Sequence, residues 1–270
     1  MSGASRKTQT RIYIGKCFRV FLNEKGWKIF FSAALITLLI SLVTSDNMFS
    51  EYNETRNGAF SLVCACIWIG IFNSIQSICK ERDIIKREHR SGLHISSYIA
   101  SHTVFELVLS FIEAIIVVII TAVSNINTVP SGGILFPAFL ELFITFFLII
   151  FSSDMLGLMV SSIVKTPNTA MTVMPFILII QLVMSGMIFD LEGITAHISK
   201  ITIAKWGLNA ICSTANVNQM PGAEMFSHLS SDYSHKVSNL FGLWALLIVF
   251  AAIYGVIAII SLKFVDKDKR

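Results

Sequence analysis

This sequence is short of charge. Asp, Glu, Lys and Arg make up 14% of its 270 residues, against roughly 25% in soluble domains. With 54% hydrophobic residues and a mean hydropathy of +0.71, that excludes a soluble globular domain and points to an integral membrane protein with little soluble mass. Signatures of common chemistries are also missing. There is no GxxxxGK[ST] run, and so no phosphate-cradling loop through which this sequence binds ATP. No HExxH, GxSxG or metal-spaced histidine cluster occurs, so no catalytic residue, metal ligand or cofactor is assigned to the chain. His89, His94, His102, His197, His228 and His235 are scattered as surface or interfacial residues are. Cysteine is sparse. Cys64 and Cys66 lie inside an apolar run without zinc-like spacing and read as small buried residues. Of the other three, Cys17, Cys79 and Cys212, only Cys212 falls in a long polar loop, where an odd thiol is free to pair between subunits. The net charge of +4 does not indicate nucleic acid, because the basic residues flank apolar runs.

What charge there is concentrates in residues 80–98, KERDIIKREHRSGLHISSY. Apolar runs flank it: residues 61–78 contain no Asp, Glu, Lys or Arg, and residues 107–123 contain only Glu113. A charged segment between two spans sits in water, and its positive excess assigns it to the cytoplasm. Ile84 and Ile85 give it a small apolar face and Gly92 is a helix stop. It reads as a short amphipathic helix placed to receive a push from another protein; the plainer alternative is a solvated charged loop.

In chain order, residues 1–10 are polar and expected to fray. No cleavable signal peptide is evident, because the first apolar run starts late and is long. Over residues 11–26, Ile14, Cys17, Phe18, Phe21 and Leu22 form a helical stripe, with Arg11, Lys16, Arg19 and Lys25 mostly off it. This predicts a basic amphipathic helix on the inner membrane surface or docked on protein. Six spans are expected, at about 27–44, 59–79, 103–123, 136–160, 169–189 and 240–262. Asn53-Glu54-Thr55 is a glycosylation sequon, meaningful only in a eukaryotic source. Within the long polar region 190–239, a stripe of Ile194, Ile198, Ile201, Leu208 and Ile211 predicts a helix or helix pair dipping into the outer leaflet. With these spans, 17 of the 21 Lys and Arg fall on one side, which places both termini in the cytoplasm.

Glu106, Glu113, Glu141 and Asp154 lie inside spans, where charge is expensive and faces protein or a water-filled cavity. Glu106 and Glu113 share one helix face. Glu106, Glu113 and Asp154 are read as a polar network linking spans to the cytoplasmic helices or as a proton path. Neutral or paired carboxylates that hold the bundle together are the alternative.

The order and spacing of several short motifs resemble the membrane half of ABC-2 type ABC exporters, in the pattern of the G-subfamily (white, multidrug-resistance and sterol half-transporters). Arg56-Asn57-Gly58 resembles the NRxG that opens the second span. Glu81 followed by Lys86-Arg87-Glu88-His89-Arg90-Ser91-Gly92 and Ser96-Ser97-Tyr98 resembles E…REhxSGxYxxSSY. Phe105-Glu106-Leu107 resembles the acidic-Leu-Pro motif, with Val108 where Pro is usual. Met184-Ser185-Gly186-Met187-Ile188 resembles the FSG-apolar-apolar close of the fifth span, and residues 201–210 resemble the re-entrant region after it.

The resemblance implies an all-α membrane domain of six spans forming a single transmembrane unit over residues 1–270. It implies a homodimer or heterodimer in the lipid bilayer around a central pathway, most naturally in the cell (plasma) membrane. ABC ATPase subunits or domains, holding ATP and Mg, sit below. Glu81, Arg82, Lys86, Arg87, Glu88, Arg90 and Gly92 would form the coupling helix. Trp68, Ile69, Phe72, Ile179, Leu182 and Ser185 would line a substrate cavity, and Met187 and Ile188 an outer valve. The resembling half-transporters usually carry their ATPase on the same chain; here it is expected on a partner or on a separated segment. An apolar cavity suits a lipid, hydrophobic drug or modified peptide, with polysaccharide still open. Two other classes compete. One is a proton- or ion-coupled secondary carrier built on the intramembrane carboxylates, although no inverted repeat or broken-helix pair is evident. The other is a non-transporting membrane scaffold.

Overall fold

The computed structural model of the chain describes residues 5–44, 48–125, 128, 130, 132–189, 191–225 and 231–264. Asp46, Asp190, His228, residues 1–4 of the N-terminal polar segment and residues 265–270 of the basic tail lie outside the described residues. Every regular element among the described residues is helical, as backbone groups in lipid require.

Helix α1 (Arg6–Asn23) starts at Ser5, whose hydroxyl accepts a hydrogen bond from the Thr8 amide at 3.3 Å. It therefore begins earlier than the apolar stripe alone indicates. The chain then bends by 71° into α2 (Lys28–Val43). Helix α3 (Tyr52–Ser74) leads through a 3-10 turn at Cys79–Glu81 into α4 (Arg82–Arg90). Helices α5 (Ile95–Ser124), α6 (Ala138–Ile163) and α7 (Pro167–Val183) follow. The pair α8 (Ile194–Ser199) and α9 (Ile203–Thr214) and the long α10 (Val237–Lys263) complete the order.

Four helical stretches, containing α3, α5, α6 and α10, are long and apolar enough to cross a membrane, and the bent α1–α2 pair is a fifth candidate. Helix α2 has 16 residues and α7 has 17, about 24–26 Å at 1.5 Å per residue, slightly less than a hydrocarbon core of ~30 Å. Several helices outrun their expected spans: α3 starts at Tyr52 rather than near 59, and α5 at Ile95 rather than near 103. Apolar runs report only the stretch in hydrocarbon, whereas the helices continue into the polar interface. The sequon thus falls in the first turn of α3, with Thr55 buried and its hydroxyl donating to the Glu51 carbonyl at 2.6 Å. Helix α7 does the opposite and ends at Val183, short of the expected 189. The Ser185 hydroxyl donates to the Leu182 carbonyl at 2.7 Å and accepts from the Met187 amide at 3.2 Å, and Gly186 has φ +78°. These bonds turn the chain away from the helix axis.

Helix α6 is the hub, with 18 of its 26 residues buried. It packs against α3, α5, α9 and α10. Small and hydroxylated residues let the backbones approach and bond across the interfaces, as expected where lipid supplies no hydrophobic drive between helices. The Ser152 hydroxyl donates to the Leu247 carbonyl at 2.9 Å, Ser261 to the Ser162 carbonyl at 3.1 Å, and the Trp244 indole N–H to Thr145 at 2.9 Å. At the α3–α6 crossing, a Cβ on Gly70 would stand 2.5 Å from the Ile150 carbonyl oxygen and 3.0 Å from the Asp154 amide nitrogen. At the α9–α6 contact, a Cβ on Gly207 would meet the end of the Ile149 side chain at 2.8 Å.

Backbone cannot yield as a flexible side-chain tip can. Gly70→Ala is therefore expected to lower the thermal unfolding midpoint of the purified protein, with a cost of about 1–3 kcal/mol. Gly207→Ala should lower it distinctly less. Equal shifts in a detergent melt would contradict the α3–α6 packing.

Candidate functional site

The charged segment is fixed on two sides. On the first, the end of α3 and the start of α4 grip the last turn of α6. The Ser161 hydroxyl accepts the Ile78 and Cys79 amides, both at 3.0 Å. Arg82 donates through Nη1 to the carbonyls of Ser162 at 2.8 Å and Val164 at 3.0 Å. A guanidinium on terminal carbonyls satisfies groups that the helix leaves open and complements its dipole.

On the second side lies α1. Gln9, Tyr13, Lys16 and Cys17 recur at helical spacing and face α4 and α5. Lys16 pairs with Glu81 at 3.0 Å, and the Tyr98 hydroxyl donates to the same carboxylate at 3.0 Å. The Tyr13 hydroxyl donates to Glu88 at 2.5 Å. Burial, together with the bonded Glu88 carboxylate, pushes the Tyr13 phenol well above its ordinary range, so it stays a donor. Burial, reinforced by Glu81, pushes the Cys17 thiol up to about 12. Tyr13 and Tyr98 meet edge to face at 5.6 Å, and Phe105 takes Phe18 and Phe21 edge-on at 5.1 and 5.7 Å. Gly92, at φ +105°, makes the turn between α4 and α5. Gln9 bridges this turn, donating to the Gly92 carbonyl at 3.1 Å and accepting from the His94 amide at 3.0 Å.

These contacts divide the expected coupling residues. Glu81 and Glu88 turn inward onto α1, Arg82 onto α6, and Ile85 is fully buried. Arg87 and Arg90 are exposed, together with Lys80, Asp83 and Ile84, at spacings of one helix face. Lys86 is half-buried and Gly92 exposed. Asp83 and Ile84 were outside the expected set although they share the outward face. Gln9, Tyr13 and Lys16 were also missed; their own i, i+4, i+7 spacing on the first helix was the available signal.

Below this assembly the intramembrane carboxylates gather. Glu106, Ser110 and Glu113 line one face of α5. The Ser110 hydroxyl lies within donating distance of two acceptors, the Glu106 main-chain carbonyl at 2.6 Å and Asp154 Oδ2 at 2.7 Å. Asn73 of α3 donates to Glu113 at 2.7 Å. Neither carboxyl oxygen of Glu106 has a hydrogen-bond partner among the described residues. Glu141 is separate. It accepts the Leu135 and Phe136 amides at 2.6 and 3.0 Å, tying the loop to the start of α6.

The expected cavity residues do not all share a surface. Trp68, Phe72 and Ile179 are exposed and Leu182 is half-buried, but Ile69 and Ser185 are buried. Ile69 faces the bundle because it sits one residue, about 100° of helix rotation, from Trp68. Met187 and Ile188 lie beyond α7 in the turn; Met187 is half-buried and Ile188 exposed. A cavity of about 370 Å³ lies between α1, α3, α5 and α7, with Lys16, Phe21, Phe72, Asn73, Phe105 and Met171 in its wall. Arg56, just ahead of the span expected from about 59, is buried with its guanidinium 5.6 Å from the Tyr52 ring and 5.8 Å from the Tyr233 ring.

The α1–α4 contact predicts a measurable coupling. Tyr13→Phe and Glu88→Gln should each lower the thermal midpoint, and their effects should be non-additive by about 1 kcal/mol in a double-mutant cycle. Simple additivity would remove the Tyr13–Glu88 bond from the assembly.

Residues 8–215 match the family described as ABC-2 type transporter. The ABC transporter ATP-binding/permease protein Rv1747 of Mycobacterium tuberculosis is 27% identical over 250 residues, covering 87% of this chain and 28% of that protein. The chain thus spans little more than a quarter of that relative's length. The match takes in α1, the charged segment, the hub α6 and α9. This chain is a multi-pass integral membrane protein of the ABC-2 type transporter family, a membrane component of an ABC transporter.

Proposed function

We propose that the chain is the permease of an ATP-driven exporter and that α4 is its coupling helix. One observation carries this reading: α4 presents Asp83, Ile84, Arg87 and Arg90 outward while its inner side is tied to α1 and the end of α6, and the turn before it to α5. A push on the outward face passes directly into helices that enter the bundle. ATP and Mg belong to an ATP-binding partner module, by analogy with the relative whose name joins ATP binding to permease.

In this reading α2, α3, α5, α6, α7 and α10 are six spans. Both termini are cytoplasmic, in the plasma membrane, and the α8–α9 pair is the re-entrant segment. Trp68 and Phe72 on α3, with Phe176, Ile179 and Ile180 on α7, form an open apolar face suited to a second permease copy or homologue. Two such faces enclose the pathway, closed outward by Met187 and Ile188. The 370 Å³ cavity, with aromatic walls and a few amide and charged groups, suits an amphipathic substrate of drug or lipid size.

A second reading is favoured by the burial of Glu106, Glu113 and Asp154 together, in which a proton gradient drives transport through them. The two readings separate in proteoliposomes containing the permease and its ATP-binding partner. ATP alone should drive uptake into inside-out vesicles, and a proton gradient alone should not. Arg87→Glu should reduce ATP-driven transport at least tenfold while the permease stays folded and the partner still hydrolyses ATP. Transport that follows the proton gradient, ignores ATP and is lost in Glu106→Gln would replace the first reading with the second.

A further inference from the structure

The flank of α1 turned away from the coupling contacts has a chemistry of its own. Arg6, Lys7, Thr10, Arg11 and Ile14 form a strip along one side of the helix and, with Ser96 and Ser97 at the start of α5, border a shallow, open recess of about 470 Å³. Three cations line it and no carboxylate does. Arg6, Lys7 and Arg11 are exposed, and none has a carboxylate partner among the described residues. The two nearby carboxylates of the assembly, Glu81 and Glu88, are engaged by Lys16 and Tyr13 on the other face of the same helix. The Ser97 hydroxyl donates to the Arg6 carbonyl at 3.2 Å, which joins the strip to α5.

From that recess an apolar track descends. Ser96, Ala100, Val104, Leu107 and Phe111 follow one another at intervals of three or four residues and so share a face of α5. Ala100 is exposed, and Val104, Leu107 and Phe111 are 41%, 42% and 47% exposed. From Ala100 to Phe111 the track runs about 16 Å, close to half of a ~30 Å hydrocarbon core. A shallow, open recess bordered by three basic side chains, at the head of an exposed apolar stripe one leaflet long, matches one class of ligand in both charge and shape.

We infer that this flank is a binding site for an anionic glycerophospholipid, its phosphate held by Arg6, Lys7 and Arg11 and an acyl chain lying along Val104, Leu107 and Phe111. The bound lipid braces α1 against α5, and α1 in turn carries Tyr13 and Lys16 to Glu88 and Glu81. The site is therefore lipid-dependent support for α4 and does not depend on which substrate or energy source the protein uses.

The test reads binding directly. The full chain is reconstituted with spin-labelled phosphatidylglycerol or spin-labelled phosphatidylcholine, and the immobilised fraction is measured by electron paramagnetic resonance. Wild type should prefer the anionic lipid. At about 1 kcal/mol for each basic residue near a membrane surface, removing even one effective cation should cut the preference roughly fivefold, and the Arg6→Gln/Lys7→Gln/Arg11→Gln variant at least that much. Lys25→Gln/Lys28→Gln, in the turn after α1 and at the start of α2, should keep the preference. Circular dichroism and monodispersity establish that each variant is folded. Equal loss in both variants would mean diffuse surface charge and overturn the site. So would an unchanged preference in the triple variant, or displacement of the labelled lipid by millimolar inorganic phosphate, which would identify a soluble anion as the occupant.

Discussion

The crossing of α3 and α6 is the constraint on which the other placements depend. Gly70 lets the two backbones approach until there is no room for a Cβ between them. That closeness brings the end of α3 to the last turn of α6, where Ser161 accepts two amides and Arg82 closes the open carbonyls. In a bilayer such close approach matters more than in water, because lipid does not drive apolar faces together. Helix α4 is thereby attached to the hub of the bundle and is no independent loop.

Helix α1 completes the attachment from outside the bundle. Its inward face meets Glu81 and Glu88 through Lys16 and Tyr13, while the aromatic cluster of Phe18, Phe21 and Phe105 seats it on α5. A partly exposed ion pair such as Lys16–Glu81 contributes at most about 1 kcal/mol on its own. Its significance here is geometric: the same carboxylate also takes Tyr98, so one group sets the distance between α1, the 3-10 turn and α5.

Much of this was legible in the sequence because hydropathy and charge report directly on the membrane. The helical class, the amphipathic first helix, the charged helix between apolar runs and its stop at Gly92 all follow from local pattern. The facing of α4 did not. Ile84 and Ile85 are adjacent, and on so short and polar a helix either could mark the buried side; packing selects Ile85 and leaves Ile84 exposed. Ile69 and Ser185 were placed at the cavity by the register of the resemblance, and the structure buries both; hydropathy does not sort such positions, because core-facing and lipid-facing residues in a bilayer are both largely apolar. Glu141 reads from sequence as an intramembrane charge, yet it accepts the amides of Leu135 and Phe136, six and five residues before it, at the start of α6. Arg56 reads from sequence only as part of the motif that opens a span, and of the two rings beside it Tyr52 is one helical turn away while Tyr233 is distant in sequence.

The most direct test of the central claim is photo-crosslinking from the outward face of α4 in native membranes. A photoreactive residue replacing Ile84 should form an adduct that mass spectrometry assigns to an ATP-binding domain with a P-loop, on the same or a separate polypeptide. The same residue replacing Leu107, on the lipid-facing side of α5, should capture lipid instead. If the residue at 84 captures only lipid or water while an ATP-binding domain crosslinks elsewhere on the chain, α4 is not the coupling helix.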